Sequence, residues 1–134
     1  MEQKIIRTGI IGSGFAARFH YNALLRVFSA KIEIIGVFSI AHDELQEFTC
    51  SRNLKAFENL DDLIRDSDMI HVCTPPVSHE KIVISALEQN KNVIVEKPFT
   101  GYFGEGIKDF NGDTFSREEG HERTIESISR MLAA

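Results

Sequence analysis

Three short stretches hold residue types that could do chemistry. Gly12-Ser13-Gly14-Phe15-Ala16-Ala17 has the spacing G-x-G-x-x-A. Placed after a strand and at the head of a helix, that spacing cradles a dinucleotide pyrophosphate. Gly12 permits the tight turn, and Gly14, lacking a Cβ, lets phosphate approach the backbone. Ala17 allows close helix–strand packing. The free N–H groups and positive dipole end of the helix then face the anion. Residues Gly12, Ser13, Gly14, Phe15 and Ala16 are therefore candidate cofactor contacts. The second stretch is Thr74-Pro75-Pro76 with His79 close behind, and the third is Glu96-Lys97-Pro98. A lysine ammonium can polarise an oxygen that gains negative charge, or, partly desolvated, join a proton relay.

The elements that must position these groups are legible in the hydrophobic pattern. Ile5–Ile11 reads as a strand buried on both faces. Phe15, Phe19, Ala23 and Val27 recur every four residues and predict one apolar face of a helix running to about Phe28. Ile32–Phe38 is a second strand, followed by a helix to about Cys50 that Asp43 can cap. A short third strand is expected at Lys55–Phe57. Asn59 caps a helix over Leu60–Arg65. Met69–Cys73 is a fourth strand stopped by Pro75-Pro76, Ser78–Gln89 a helix, and Asn92–Val95 a fifth strand. This alternation defines an α/β chain with a doubly wound parallel sheet of the Rossmann type. Both the glycine loop and Glu96-Lys97-Pro98 then fall at carboxyl ends of strands, where open α/β sheets bind ligands.

The position that usually carries an acid for the adenosine ribose holds Ser39. Ser39 can hydrogen-bond a ribose but brings no charge. No arginine follows it, and His42 reads as an exposed residue, so the cofactor is NAD or NADP with the choice open.

The glycine loop, Thr74-Pro75-Pro76, His79 and Glu96-Lys97-Pro98 occur in the order and approximate spacing of one family. Over residues 4–99 the chain resembles the N-terminal domain of the glucose-fructose oxidoreductase and inositol dehydrogenase (Gfo/Idh/MocA) family. The resemblance implies hydride transfer between a nicotinamide cofactor and a hydroxyl of a sugar, polyol or related compound. It implies that Lys97 is the catalytic residue beside the reacting carbinol. It implies that Glu96 positions the lysine or the cofactor ribose, and that Pro98 follows a cis peptide bond. Thr74, Pro75 and His79 would line the nicotinamide and ribose side. A non-catalytic nucleotide sensor of the same fold is the alternative, because fold alone does not define function. A methyltransferase reading leaves Glu96-Lys97-Pro98 without a role.

Length and composition bound the rest. The chain has 134 residues, a single domain's worth, and 43% hydrophobic and 26% charged residues argue against intrinsic disorder. A net charge of -5 with no basic stripe excludes an electrostatic footprint for nucleic acid. No apolar run has membrane-spanning length. Cys50 and Cys73 read as two buried free thiols of a reducing, cytoplasmic protein. His20, His71 and His121 read as structural. Asp109-x-Asn111-x-Asp113 lacks the glycine and glutamate of a calcium loop, so no metal is expected. Residues 100–115 read as a glycine- and aromatic-rich insertion, and the capping-box pattern Ser116-Arg117-Glu118-Glu119 starts a terminal helix over 116–133. Five strands against the six of a full sheet make residues 1–134 read as a truncated cofactor domain, inactive alone. Its sixth strand and C-terminal substrate domain would be absent. Asn92–Val95 would be an open edge suited to pairing with another chain, and a homo-oligomer is compatible with it.

Overall fold

The computed structural model describes residues 4–134. Four parallel strands, β1 (Ile5–Ile11), β2 (Lys31–Phe38), β3 (Met69–Val72) and β4 (Asn92–Val95), form one sheet in the order β2-β1-β3-β4. The chain runs outward from β1 to β2, then crosses to β3 on the other side of β1. That reversal is the topological switch point of a doubly wound sheet. Ile11 is level with Phe38 and Val72, and Val72 with Val95, so all four carboxyl ends reach one rim.

Successive strand residues point to opposite faces, and each face has its own core. Ile10 and Val37 pack with Ala17 and Leu24 of α1 (Phe15–Leu24) and Leu45 and Phe48 of α2 (His42–Cys50). Ile11, Ile70 and Val72 pack with Leu63 and Ile64 of α3 (Leu60–Asp66) and Ile82, Val83 and Ala86 of α4 (His79–Glu88). Met131 of α5 (Arg117–Ala133) completes that second layer. Each fully buried large side chain contributes about 1.5–3 kcal/mol relative to exposure.

The cap assignments divide. Asn59 Oδ1 accepts from the backbone N of Asp61 (2.8 Å) and Asp62 (3.3 Å), and Ser116 Oγ from that of Glu119 (3.3 Å). Asp43 does not cap α2. The helix already begins at His42, leaving Asp43 in its first turn, where its charge still complements the dipole.

Two elements differ from the sequence reading. Lys55–Phe57 is not a strand, so the sheet has four strands rather than five. Only Ala56 forms an isolated parallel bridge to Val37. Val37 N donates to Lys55 O (2.9 Å) and Phe57 N to Val37 O (2.8 Å), after which the Phe57 ring turns into the core. Gly36 permits this approach, because a Cβ there would stand 2.6 Å from Lys55 O.

The helix α1 ends at Leu24 and buries a different face from the one expected. Ala17 and Leu24 are buried with Tyr21 packed beside them, a spacing of i, i+4, i+7. Phe15 and Phe19 are 77% and 60% exposed, their rings edge to face at 4.7 Å. The glycine turn delivers the chain with its small residues against β1. A phenylalanine two positions away is then rotated by about half a turn, toward solvent.

Cys73 is buried, but Cys50, on the outer face of α2, is exposed. The stretch 100–115 has no strand or long helix; Tyr102, Phe110 and Phe115 gather into an aromatic cluster, with centroids 5.1–5.5 Å apart. Among the described residues β4 pairs with β3 alone, and Ile94 on this edge strand is 43% exposed. No helix among the described residues is long and apolar enough to cross a membrane.

Candidate functional site

The rim formed by the strand carboxyl ends collects the chemistry-bearing residues. After β1 the backbone turns at Gly12, whose φ is +106°, and Gly12 N donates to Phe38 O (2.8 Å). A Cβ at Gly12 would lie 2.6 Å from Cys73 O, so this turn is pressed against the end of β3. Gly14 is the opposite case. Its φ is -80°, and an added Cβ would meet nothing within 4 Å. Space therefore exists directly in front of the first turn of α1, whose N-terminus has no side-chain cap. An uncapped helix start behind an open glycine suits a pyrophosphate. Ala17 is fully buried against β1, the close packing that the motif requires.

Ser13 and Ser39 are both buried, and their hydroxyls meet at 3.0 Å. Ser39 Oγ also accepts from Ala41 N (3.2 Å). The pair fastens the glycine loop to the end of β2, so the Ser39 hydroxyl is already engaged within the chain. The neighbouring Ile40 is 86% exposed, and Arg18 of α1 lies 3.7 Å from Glu47 of α2 on the outer surface. Ala16 is partly buried, while Phe15 projects outward at the mouth of the loop.

At the end of β3, Thr74 is half-buried and Pro75 exposed. Ser78 Oγ donates to Thr74 Oγ1 (2.7 Å), and Pro76–Ser78 forms a single tight turn leading into α4. His79 is fully buried. Its Nε2 faces Thr74 O (2.8 Å), and its Nδ1 faces Pro98 O (3.0 Å) and Phe99 O (3.2 Å). His79 thus does not line the rim. It is a brace beneath it, joining the Thr74-Pro75 loop to the segment after β4.

Glu96, Lys97 and Pro98 leave β4 on the same rim, with Lys97 exposed and the Lys97–Pro98 peptide cis. Glu96 N donates to Val72 O (3.0 Å), which continues the ladder to the motif itself. Sequence reasoning missed what holds the Glu96 carboxylate. Glu96 Oε1 lies 2.8 Å from His20 Nε2, and His20 Nδ1 lies 2.8 Å from His71 Nδ1. Lys97 N donates to Glu96 Oε2 (3.2 Å). The hydrogen bond from His20 holds the Glu96 carboxyl below the usual carboxylate range. Burial, with His20 adding to it, lowers the His71 ring to about 4. Burial, reinforced by the Glu96 charge, pushes the Cys73 thiol up to about 12, so it stays protonated and unreactive. A signal existed for His20: it lies four and three residues from Ala16 and Ala17, and so shares the packed side of α1.

The open groove between α4, α5 and residues 100–105 starts at Pro76 and Val77, just behind the end of β3, and is lined by mixed charges including Glu80, Arg123 and Arg130. Arg130 binds Glu80 with both Nε and Nη2, the latter at 3.1 Å, which clamps α5 onto α4.

A four-stranded parallel sheet with its switch point beside an open glycine turn defines a dinucleotide-binding domain of the Rossmann class. Residues 6–108 match the family described as the Gfo/Idh/MocA "oxidoreductase family, NAD-binding Rossmann fold". The chain belongs to that family, and this is its NAD-binding domain.

Among individual relatives, it is 37% identical over 92 residues to glucose-6-phosphate 3-dehydrogenase of Bacillus subtilis, covering 69% of this chain and 26% of that protein. It is 30% identical over 95 residues to UDP-N-acetylglucosamine 3-dehydrogenase of Acidithiobacillus ferrooxidans, covering 71% of this chain and 29% of that protein. The fold matches apo scyllo-inositol dehydrogenase from Lactobacillus casei with a TM-score of 0.67 at 24% identity, over 98% of this chain and 35% of that one. It also matches GenD2 of gentamicin A biosynthesis in complex with NAD, with a TM-score of 0.66 at 21% identity, over 72% of this chain and 28% of that one. The chain spans about a quarter to a third of the length of the curated relatives it matches.

Proposed function

We propose that this chain is the cofactor-binding part of an NAD(P)-dependent oxidoreductase that moves a hydride to or from a hydroxyl-bearing carbon of a sugar, polyol or related compound. The observation that carries it is the shared rim: an open glycine turn after β1 and Glu96-Lys97-Pro98 after β4, with only β3 between them. The relatives named as sugar and inositol dehydrogenases support the substrate class.

The residues present fit the cofactor, since the space in front of Gly14 is where a Cβ would stand. Gly12, Ser13, Gly14, Phe15 and Ala16 would hold its pyrophosphate, with Ser39 and Ile40 bordering the adenosine ribose. Thr74 and Pro75 would border the nicotinamide side, and His79 would support them from beneath. The nicotinamide supplies the hydride acceptor or donor. Lys97, exposed on the rim and on a motif tied down through Glu96, would hydrogen-bond the carbinol oxygen and stabilise its developing charge. With Ser39 neutral and its hydroxyl engaged by Ser13 and Ala41, the rim carries no carboxylate at that position to repel a 2′-phosphate. The proposed cofactor is therefore NAD or NADP.

Titrating the 134-residue chain with NADH and NADPH tests the binding half, and saturable binding of both with comparable affinity is the expected result. Absence of binding by either overturns the reading. In a chain carrying the further length of its relatives, Lys97→Ala should abolish sugar or polyol turnover and spare cofactor affinity. Turnover that survives overturns the role of Lys97.

A further inference from the structure

We propose that His20 is a positioning residue for Lys97: it fastens the Glu96 carboxylate through a directed chain of hydrogen bonds that begins at His71 and ties the cofactor-accepting helix α1 to the end of β4. The proposal rests on the reading of Lys97 given above, and the chain of bonds itself rests on geometry.

The direction of the chain follows from the carboxylate. An ionised Glu96 can only accept, so His20 Nε2, at 2.8 Å from Oε1, carries a proton. The opposite tautomer would set a nitrogen lone pair against the carboxylate. With Nε2 protonated, a neutral His20 ring offers a lone pair at Nδ1, and His71 Nδ1, 2.8 Å away, must donate to it. His71 Nε2 is then a bare acceptor, and that atom is buried with no partner. Protonating His20 would make it donate at both ends. His71 would then have to carry its proton on Nε2, where a buried N–H would find no acceptor. The enclosure of His71, only 6% exposed, therefore favours the neutral, directed state.

Every titratable neighbour of the chain agrees. Glu96 faces His20, the backbone of Lys97 and the charge of the Lys97 side chain, and Cys73 stands close by as a neutral thiol. His71 faces His20. Both Glu96 oxygens are used, one by α1 through His20 and one by the Lys97 amide. The helix that begins at Phe15 behind the glycine turn is thereby coupled to the residue proposed to meet the substrate. His20→Gln keeps an amide donor for Glu96, whereas His20→Ala removes it.

Nitrogen-15 imidazole NMR of the 134-residue chain, without cofactor, reads the tautomers directly. At pH 8 His71 should be protonated on Nδ1 and His20 on Nε2. His20→Ala should move the Glu96 carboxyl titration to higher pH, displace the Lys97 amide resonance and free His71 to change tautomer. His20→Gln should restore the Glu96 titration toward that of the parent while still altering His71. An Nε2-protonated His71 at pH 8 in the unmodified chain overturns the proposal, and that reading stands even where a variant fails to fold. So does a folded His20→Ala chain whose Glu96 titration and Lys97 amide are unmoved. None of these readouts uses cofactor or turnover, so their failure overturns the role of His20. Failure of NADH to bind overturns the function proposed above.

Discussion

Replacing Gly14 with alanine separates cofactor recognition from folding. An added Cβ at Gly14 meets no atom within 4 Å, and the backbone there, at φ -80° and ψ -157°, is open to any residue. The folded state therefore pays no steric cost. Restricting the unfolded chain should leave stability unchanged or raise it by about 0.4–1 kcal/mol. The same methyl occupies the space through which phosphate reaches the first backbone amides of α1. Losing one charge-assisted hydrogen bond of about 1.5–3 kcal/mol raises the Kd for NADH roughly 10- to 150-fold. Gly12→Ala is the contrast, with φ at +106° and a Cβ 2.6 Å from Cys73 O. Backbone strain of about 1–3 kcal/mol is expected before the contact is counted, a fall in Tm of roughly 4–12 °C for a domain of this size. Thermal melts with NADH titrations followed by fluorescence provide the assay. If Gly14→Ala binds NADH within about twofold of the parent, or melts like Gly12→Ala, the assignment of Gly14 to phosphate approach is refuted.

Three further outcomes are expected. His79→Leu leaves the Thr74, Pro98 and Phe99 carbonyls facing an apolar side chain, and should lower the unfolding free energy by about 1–3 kcal/mol in denaturant melts; an unchanged midpoint would show that His79 braces nothing. His71 is lowered from 6.5 to about 4, so the unfolded chain binds the extra proton first, and stability is lost as pH falls from about 6.5 to 4; His71→Leu should flatten that part of the stability curve by about 3 kcal/mol. Glu80 is lowered by its hydrogen bond from Arg130, so its contribution is present above the ordinary value of 4.5 and is lost as pH falls through the lower folded value; Arg130→Ala should be less stable than the parent at pH 7 and converge with it in acid, and parallel curves would refute the clamp.

The strand pattern was legible because buried parallel strands are short apolar runs that end at glycine or proline. Ile5–Ile11, which ends at Gly12, is such a run, and Asn92–Val95 is closed three residues on by Pro98; the bounds of both match. Lys55–Phe57 was not, since three apolar-flanked residues look alike whether they form a ladder or touch a neighbour once. The face of α1 was misread because Phe15 and Phe19 outweigh Ala17 in hydrophobicity, whereas close packing against a strand selects the smaller side chain. The motif residues at the rim were visible through their spacing. The link from His20 to His71 and Glu96 was not, because it joins residues 51 and 76 positions apart, and no local pattern reports a contact of that range.

The division of the core by the sheet has a consequence for how the domain opens. Leu45 and Phe48 on one face and Leu63, Ile82 and Met131 on the other meet only through the strands. Hydrogen exchange under native conditions should then resolve two independent openings, one releasing the amides of α2 and the other those of α4 and α5. The amides of Thr8–Ile11 in β1 lie between β2 and β3, are covered from both faces and should exchange only when the whole domain unfolds. A bound dinucleotide would slow the first opening more than the second, so the amides of α2 serve as a built-in reporter of occupancy at a rim several residues away.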